Sequence, residues 1–141
     1  MSNPGAASTV SVGLQNLSSD QAIRLIGKAN GVSLNAVADT VIPCINTSSF
    51  SVSHVLVTNA SASLAQAYGA LYTAPAAGGT AIVSPAALSA CTTAAKVDSM
   101  TVASTDNPNV NNLYFRCTTV NTAAATADVY VYGYTFDSTT N

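Results

Sequence analysis

TADVYVYGYTF, residues 126–136, alternates strictly. Val129, Val131 and Thr135 fall on one side, and Tyr130, Tyr132, Tyr134 and Phe136 on the other. A period of two marks a β-strand, whose successive side chains point to opposite faces of a sheet. The row stands out because the chain has only six Tyr, three Phe and no Trp in 141 residues. If the aliphatic side packs into a core, the aromatic side is an outer surface. Large, stiff side chains with polar tips suit a protein interface. The opposite arrangement, tyrosines inside and valines outside, satisfies the same alternation, as does a strand covered on both faces.

The rest of the composition agrees with strands. Ala, Ser and Thr supply 59 of the 141 residues, Lys and Arg together number four, and all six acidic residues are Asp. Helical domains draw on Glu, Lys, Leu and Arg, so their scarcity argues against a bundle. Val and Thr between small turn-forming residues suit an all-β chain. The length fits one domain with a sizeable core. Arg24, Lys28, Lys96 and Arg116 are too scattered to neutralise a phosphate backbone, so no nucleic-acid partner is expected. No apolar run is long enough for a membrane helix, and MSNPGAASTVSVG lacks the basic and apolar regions of a secretory signal. Cys44, Cys91 and Cys117, odd in number and widely spaced, read as reduced, with a disulfide as the alternative.

Residues 1–8 (MSNPGAAS) have no pattern and read as a flexible arm, leaving 9–141 as a single β-sandwich domain. TVSVGL, 9–14, alternates as a first strand, or as a segment that orders on a partner by adding to its sheet edge. Residues 16–39 suit either a short capped helix or, preferably, an extended segment. TVIPCI (40–45) is confined by Pro43 to an edge or a strand end. SFSVSHVLVTN (49–59) places Phe50, Val52, His54 and Leu56 on one face, expected to be the core side. AQAYGALYTA (65–74) is a strand with a bulge or close approach at Gly69, and PAAGG (75–79) is a loop. PAALSACTTA (85–94) opens with proline at a possible first helical position, which predicts one short helix. VDSMTVA (97–103) alternates, and STDNPNVNN (104–112) is dense in turn residues. NLYFRCTTV and the tyrosine strand look like a hairpin joined by NTAAA. About eight antiparallel strands predict a two-sheet sandwich, most simply a jelly roll, with an immunoglobulin-like sandwich as the alternative.

No catalytic constellation stands out. The single histidine, His54, has no nucleophile elbow near it in sequence. No Cys-x-x-Cys or His pair suggests a metal, the aspartates lie singly, and no glycine-rich phosphate loop occurs. No enzyme activity and no cofactor are expected.

Several segments carry a resemblance: VTNASASL (57–64), LYTA (71–74), GGTAIV (78–83) and TADVYVYG (126–133). Together they make the span 40–134 similar to small tailed-phage virion proteins of the capsid decoration, or cement, type. Tyr68-Gly69-Ala70 departs from the glycine pair of that pattern. The resemblance implies a protein made in the host cytoplasm that binds the outside of the shell, contacts the major capsid protein and stabilises the head as a homotrimer. On this reading Tyr130, Tyr132, Tyr134 and Phe136 form the subunit interface, and Thr9, Val10, Val12 and Leu14 contact the capsid. The rival readings are a receptor- or glycan-binding module of a head or tail fibre, and a tail or baseplate connector.

Overall fold

The computed structural model describes residues 23–45, 47–94 and 97–136. Among them are eight strands: β1 (Arg24–Ser33), β2 (Asp39–Pro43), β3 (Phe50–Thr58), β4 (Tyr68–Ala74), β5 (Gly78–Ala87), β6 (Asp98–Met100), β7 (Asn112–Thr119) and β8 (Thr126–Thr135). They form two four-stranded sheets, ordered β1-β8-β3-β6 and β2-β7-β4-β5. Every pairing is antiparallel. The pairs β4–β5, β3–β6, β2–β7 and β1–β8 are nested around the central hairpin, and successive pairs fall in alternate sheets. A long ribbon rolled up in this way is a jelly roll, as the strand count led one to expect. The immunoglobulin-like order is not found.

Alternation drives the sandwich together. Leu113, Phe115 and Cys117 of β7 and Val129 and Val131 of β8 point inward, joining Ile26, Ile42, Phe50, Val55, Val57, Leu71 and Val83 in one core. Full burial of each large aliphatic or aromatic side chain contributes ~1.5–3 kcal/mol. The Phe115 ring lies where a side chain at position 69 would be, so Gly69 marks the close approach its place in the sequence suggested.

Several expectations are corrected. No helix forms over 85–94: β5 runs on through Pro85 to Ala87 and gives way to a turn at 89–90. β5 is an edge strand, where the missing N–H of proline is tolerated. The alternating 97–103 segment is strand only at Asp98–Met100. The expected final hairpin does not exist, because β7 and β8 lie in different sheets and residues 120–125 arch between them. The preferred extended reading holds for β1. Residues 1–8, and Thr9 to Leu14 with them, lie outside the described residues.

With few charges available, amides and single carboxylates tie the ends. Asn121 is only 5% exposed. Its Nδ2 donates to the carbonyls of Ser63 (3.0 Å) and Ala123 (2.9 Å), its Oδ1 accepts the Gln66 N–H (3.4 Å), and its own N–H donates to Leu34 O (2.9 Å). Through its side chain and its main-chain N–H, this one buried residue joins three interstrand connections, and satisfying its polar atoms avoids a desolvation cost of ~1–3 kcal/mol.

On the outer side of the second sheet, Arg116 Nη1 donates to Asp39 Oδ1 at 2.9 Å, and the Ala76 N–H donates to Asp39 Oδ2 at 2.7 Å. The β4–β5 turn therefore bends over the sheet and is held by Asp39. Burial alone would push the Asp39 carboxyl up, but the Ala76 N–H and the Arg116 bond and charge outweigh it and hold the group below its usual range. A carboxylate with a depressed folded pKa stabilises above its unfolded value near 3.8 and loses that stability as pH falls through the lower folded value. Asp39→Asn should lower the urea midpoint near neutral pH. The gap from wild type should close on acidification toward about pH 2, below the usual carboxylate range. A gap unchanged by pH would assign the effect to packing.

The same turn is strained. Gly78 N–H donates to Pro75 O at 3.0 Å, and the two central residues, Ala76 and Ala77, have φ of 56° and 60°. This is the type I′ geometry that suits strand twist but favours Asn and Gly. A side chain in the left-handed region costs ~1–2 kcal/mol. Ala77→Gly should stabilise the fold by about 0.5–1 kcal/mol, net of the added freedom of the unfolded chain, and Ala77→Val should destabilise it by more than about 1 kcal/mol. Paired thermal melts check the opposite signs.

Candidate interaction face

The tyrosine row occupies the outer face of the first sheet. Along β8, Ala127, Val129, Val131 and Gly133 are buried, while Tyr130 and Tyr132 are half-buried and Tyr134 is exposed. Phe136, just past the strand end, is 54% exposed. Tyr130, Tyr132, Tyr134 and Phe136 therefore share the outer side, and the valines face the core.

β8 has neighbours on both sides, so the row lies at the middle of the face. On β1, Leu25 stands opposite Tyr132 and Lys28 opposite Tyr130. On β3, His54 stands opposite Tyr132, Leu56 opposite Tyr130 and Ser51 opposite Tyr134. Two aliphatic side chains and one imidazole thus join the aromatics, with Lys28 at the margin.

His54 and Leu56 are not where simple alternation puts them. The register passes from Val52–Gly133 to His54–Tyr132, so Ser53 is an extra residue, a β-bulge. Before it Phe50 and Val52 point inward; after it Val55 and Val57 do. The bulge turns the expected core histidine out onto the aromatic face, where its Nδ1 lies 2.7 Å from Ser53 Oγ. Leu25 and Lys28 were not assigned to this face from sequence, and Leu56 was expected on the core side with His54. Their membership follows from strand register, which depends on bulges in β1 and β3 that leave no pattern in the residue types.

Gly133 makes the bulge possible. A Cβ at this position would run into the Ser51 carbonyl oxygen and crowd Val52 Cα. Both obstacles are backbone, so no rotamer change relieves them. Gly133→Ala should therefore destabilise the fold by at least about 2 kcal/mol, as overpacking does, measurable as a lower urea midpoint. A midpoint within about 0.5 kcal/mol of wild type, the usual range for neutral surface changes, would show that β3 and β8 can separate at no cost.

Chemistry elsewhere is sparse. Among the described residues no three or more His, Cys, Asp or Glu side chains gather as a metal site. None of the three cysteines is in a disulfide. Burial pushes the Cys44 thiol up to about 11 and raises Cys91 and Cys117, which keeps them protonated and poorly nucleophilic. Among the described residues no helix is long and apolar enough to cross a membrane. The sequence-derived capsid-contact residues Thr9, Val10, Val12 and Leu14 lie outside the described residues and cannot be related to this face. In comparisons with known proteins, the chain matches no family profile, no curated protein and no solved structure.

Proposed function

We propose that this chain is a non-enzymatic structural protein of a phage virion, a cement protein that assembles as a homotrimer on the outside of the capsid shell and stabilises it. The observation that carries this reading is the aromatic row on the outer face of β8, with Tyr134 39% and Phe136 54% exposed in a chain of 7% charged residues. An outer sheet face built from aromatic and aliphatic side chains favours a covered state, and protein partners cover such faces. The jelly roll supports the reading in a general way, being common among viral capsid and lectin domains.

A cyclic trimer joins two different patches on each subunit, because its contacts are heterologous. The aromatic face supplies one. We assign the second to the outer side of the other sheet, where Val41 on β2 is 50% and Tyr68 on β4 42% exposed. Face-to-face pairing of the aromatic rows alone would instead give a twofold dimer.

Tyr132 is central in the row, so Tyr132→Asp places a carboxylate in the desolvated middle of the contact, at a cost of several kcal/mol. Sedimentation should show a trimer for the wild type and a monomer of unchanged circular dichroism for the variant. Wild-type trimer should bind heads lacking it and raise their heat resistance, and the variant should do neither. A variant that sediments as wild type would remove the aromatic row from the interface. Failure of wild-type protein to bind such heads would remove the cement role.

A further inference from the structure

A cleft of about 260 Å³ lies between the β4–β5 hairpin, which contributes Thr73, Thr80 and Ile82, and the β6–β7 connection, which contributes Ser104, Asp106, Asn107 and Pro108. It shares no residue with the aromatic face. It is below the roughly 300–1,000 Å³ of pockets that hold drug-sized ligands, so it suits one small ring.

The loop wall is held in place by side chains. Asn107 Oδ1 accepts the N–H groups of Phe50 (3.2 Å) and Asn109 (3.0 Å), and its Nδ2 donates to Ser49 Oγ (2.9 Å). Ser51 Oγ donates to Thr105 O at 2.7 Å. A turn-rich loop fixed at this many points loses little freedom when a ligand binds.

The polar atoms left over define what the cleft can hold. Thr73 Oγ1 accepts the Thr80 N–H at 2.8 Å and Ser104 Oγ accepts the Asp106 N–H at 3.4 Å, so both hydroxyl protons remain to be donated. The Asp106 side chain is the loop's one carboxylate, and among the described residues no hydrogen bond or ion pair engages it. Ile82 is buried at the base and Pro108 offers an apolar ring.

We propose that this cleft binds a single neutral pyranose unit of a glycan. Adjacent sugar hydroxyls donate to the two Asp106 oxygens, and their lone pairs accept from the Thr73 and Ser104 hydroxyls. The C–H face of the ring lies against Pro108 and Ile82. An anion is repelled by Asp106. A simple ammonium ion leaves the hydroxyl donors unused, and its pairing with an exposed carboxylate contributes only ~0–1 kcal/mol. A polyol alone engages the donors and the acceptor together.

The test is amide NMR of the full chain, titrated separately with the methyl glycosides of glucose, galactose, mannose and N-acetylglucosamine. At least one should give saturable shifts confined to residues 73, 80 and 104–107. Asp106→Ala should weaken binding at least tenfold, as expected on losing hydrogen bonds to a charged group, while leaving other resonances in place. Thr80→Val, which keeps the backbone bond to Thr73, reports on the hairpin wall: its shifts on titration should stay within the same cleft. Absence of saturable shifts with all four glycosides would overturn the proposal, as would full affinity in Asp106→Ala. Equal saturable shifts with methylammonium chloride would make the cleft a cation site instead. Each result stands whether or not the protein forms trimers.

Discussion

Everything on the outer face of the first sheet depends on one backbone contact, between β3 and β8 at Ser51, Val52 and Gly133. The strands approach so closely there that position 133 has no room for a Cβ, and one residue farther along β3 carries the extra Ser53. An uninterrupted β3 would send His54 and Leu56 into the core with Phe50 and Val52, and Val55 and Val57 outward. Burying an imidazole in that apolar core without a partner costs free energy that two valines do not. The bulge resolves the conflict: the core receives four apolar side chains from β3, and the outer face receives His54 and Leu56 beside Tyr132 and Tyr130. Core continuity and the makeup of the aromatic face are thus two results of one irregularity.

Nesting of strand pairs brings distant connections together at each end, and amides fasten them. Asn121 does this at one end, bonding to the β1–β2 and β3–β4 connections, and Asn107 does it at the other, bonding to Phe50 and Ser49. Asp128 adds a third tie, accepting the Gly31 N–H at 2.8 Å and Asn59 Nδ2 at 2.9 Å. Each bond contributes only ~0.5–1.5 kcal/mol net, or ~1.5–3 where a carboxylate accepts. Their collective effect is to hold loops rich in Ala, Ser and Thr that have little apolar surface to bury. This is the physical counterpart of the composition: where ion pairs are scarce, neutral hydrogen bonds to backbone groups do the fastening.

The strands whose alternation is unbroken were readable from sequence. In β7 and β8 the apolar row is inside and the polar or aromatic row outside over their full length, so type and extent follow from a period of two; the inward face of β8 does not, because either row satisfies the alternation and only the core packed on Val129 and Val131 decides it. β3 was readable only in part, since a bulge changes the phase without changing the residue types that signal a strand. The 85–94 segment misled because proline is acceptable both at a helix start and on an edge strand, and which applies depends on the neighbours of β5. The β7–β8 connection misled for a related reason. Six residues can close a hairpin within one sheet or arch to the other, and local pattern does not distinguish them. Of the aromatic face, the row itself was legible; the β1 and β3 contributions were not, because register across strands is a tertiary property. The cleft at Asp106 left only a turn-rich stretch as its trace.

The two outer faces are unlike, and the difference limits how copies can associate. The first sheet presents a row of aromatics with His54 and Leu56. The second presents Val41, Tyr68, Tyr72 and Tyr114 around the Asp39–Arg116 ion pair, part of it covered by the bent β4–β5 turn. A twofold contact would bury one face against itself and leave the other exposed. A head-to-tail contact between the aromatic face of one copy and the second sheet of the next would bury both; since the two faces lie on opposite sides of the sandwich, it would close into a ring only with a large rotation from copy to copy and would otherwise run on as an open filament.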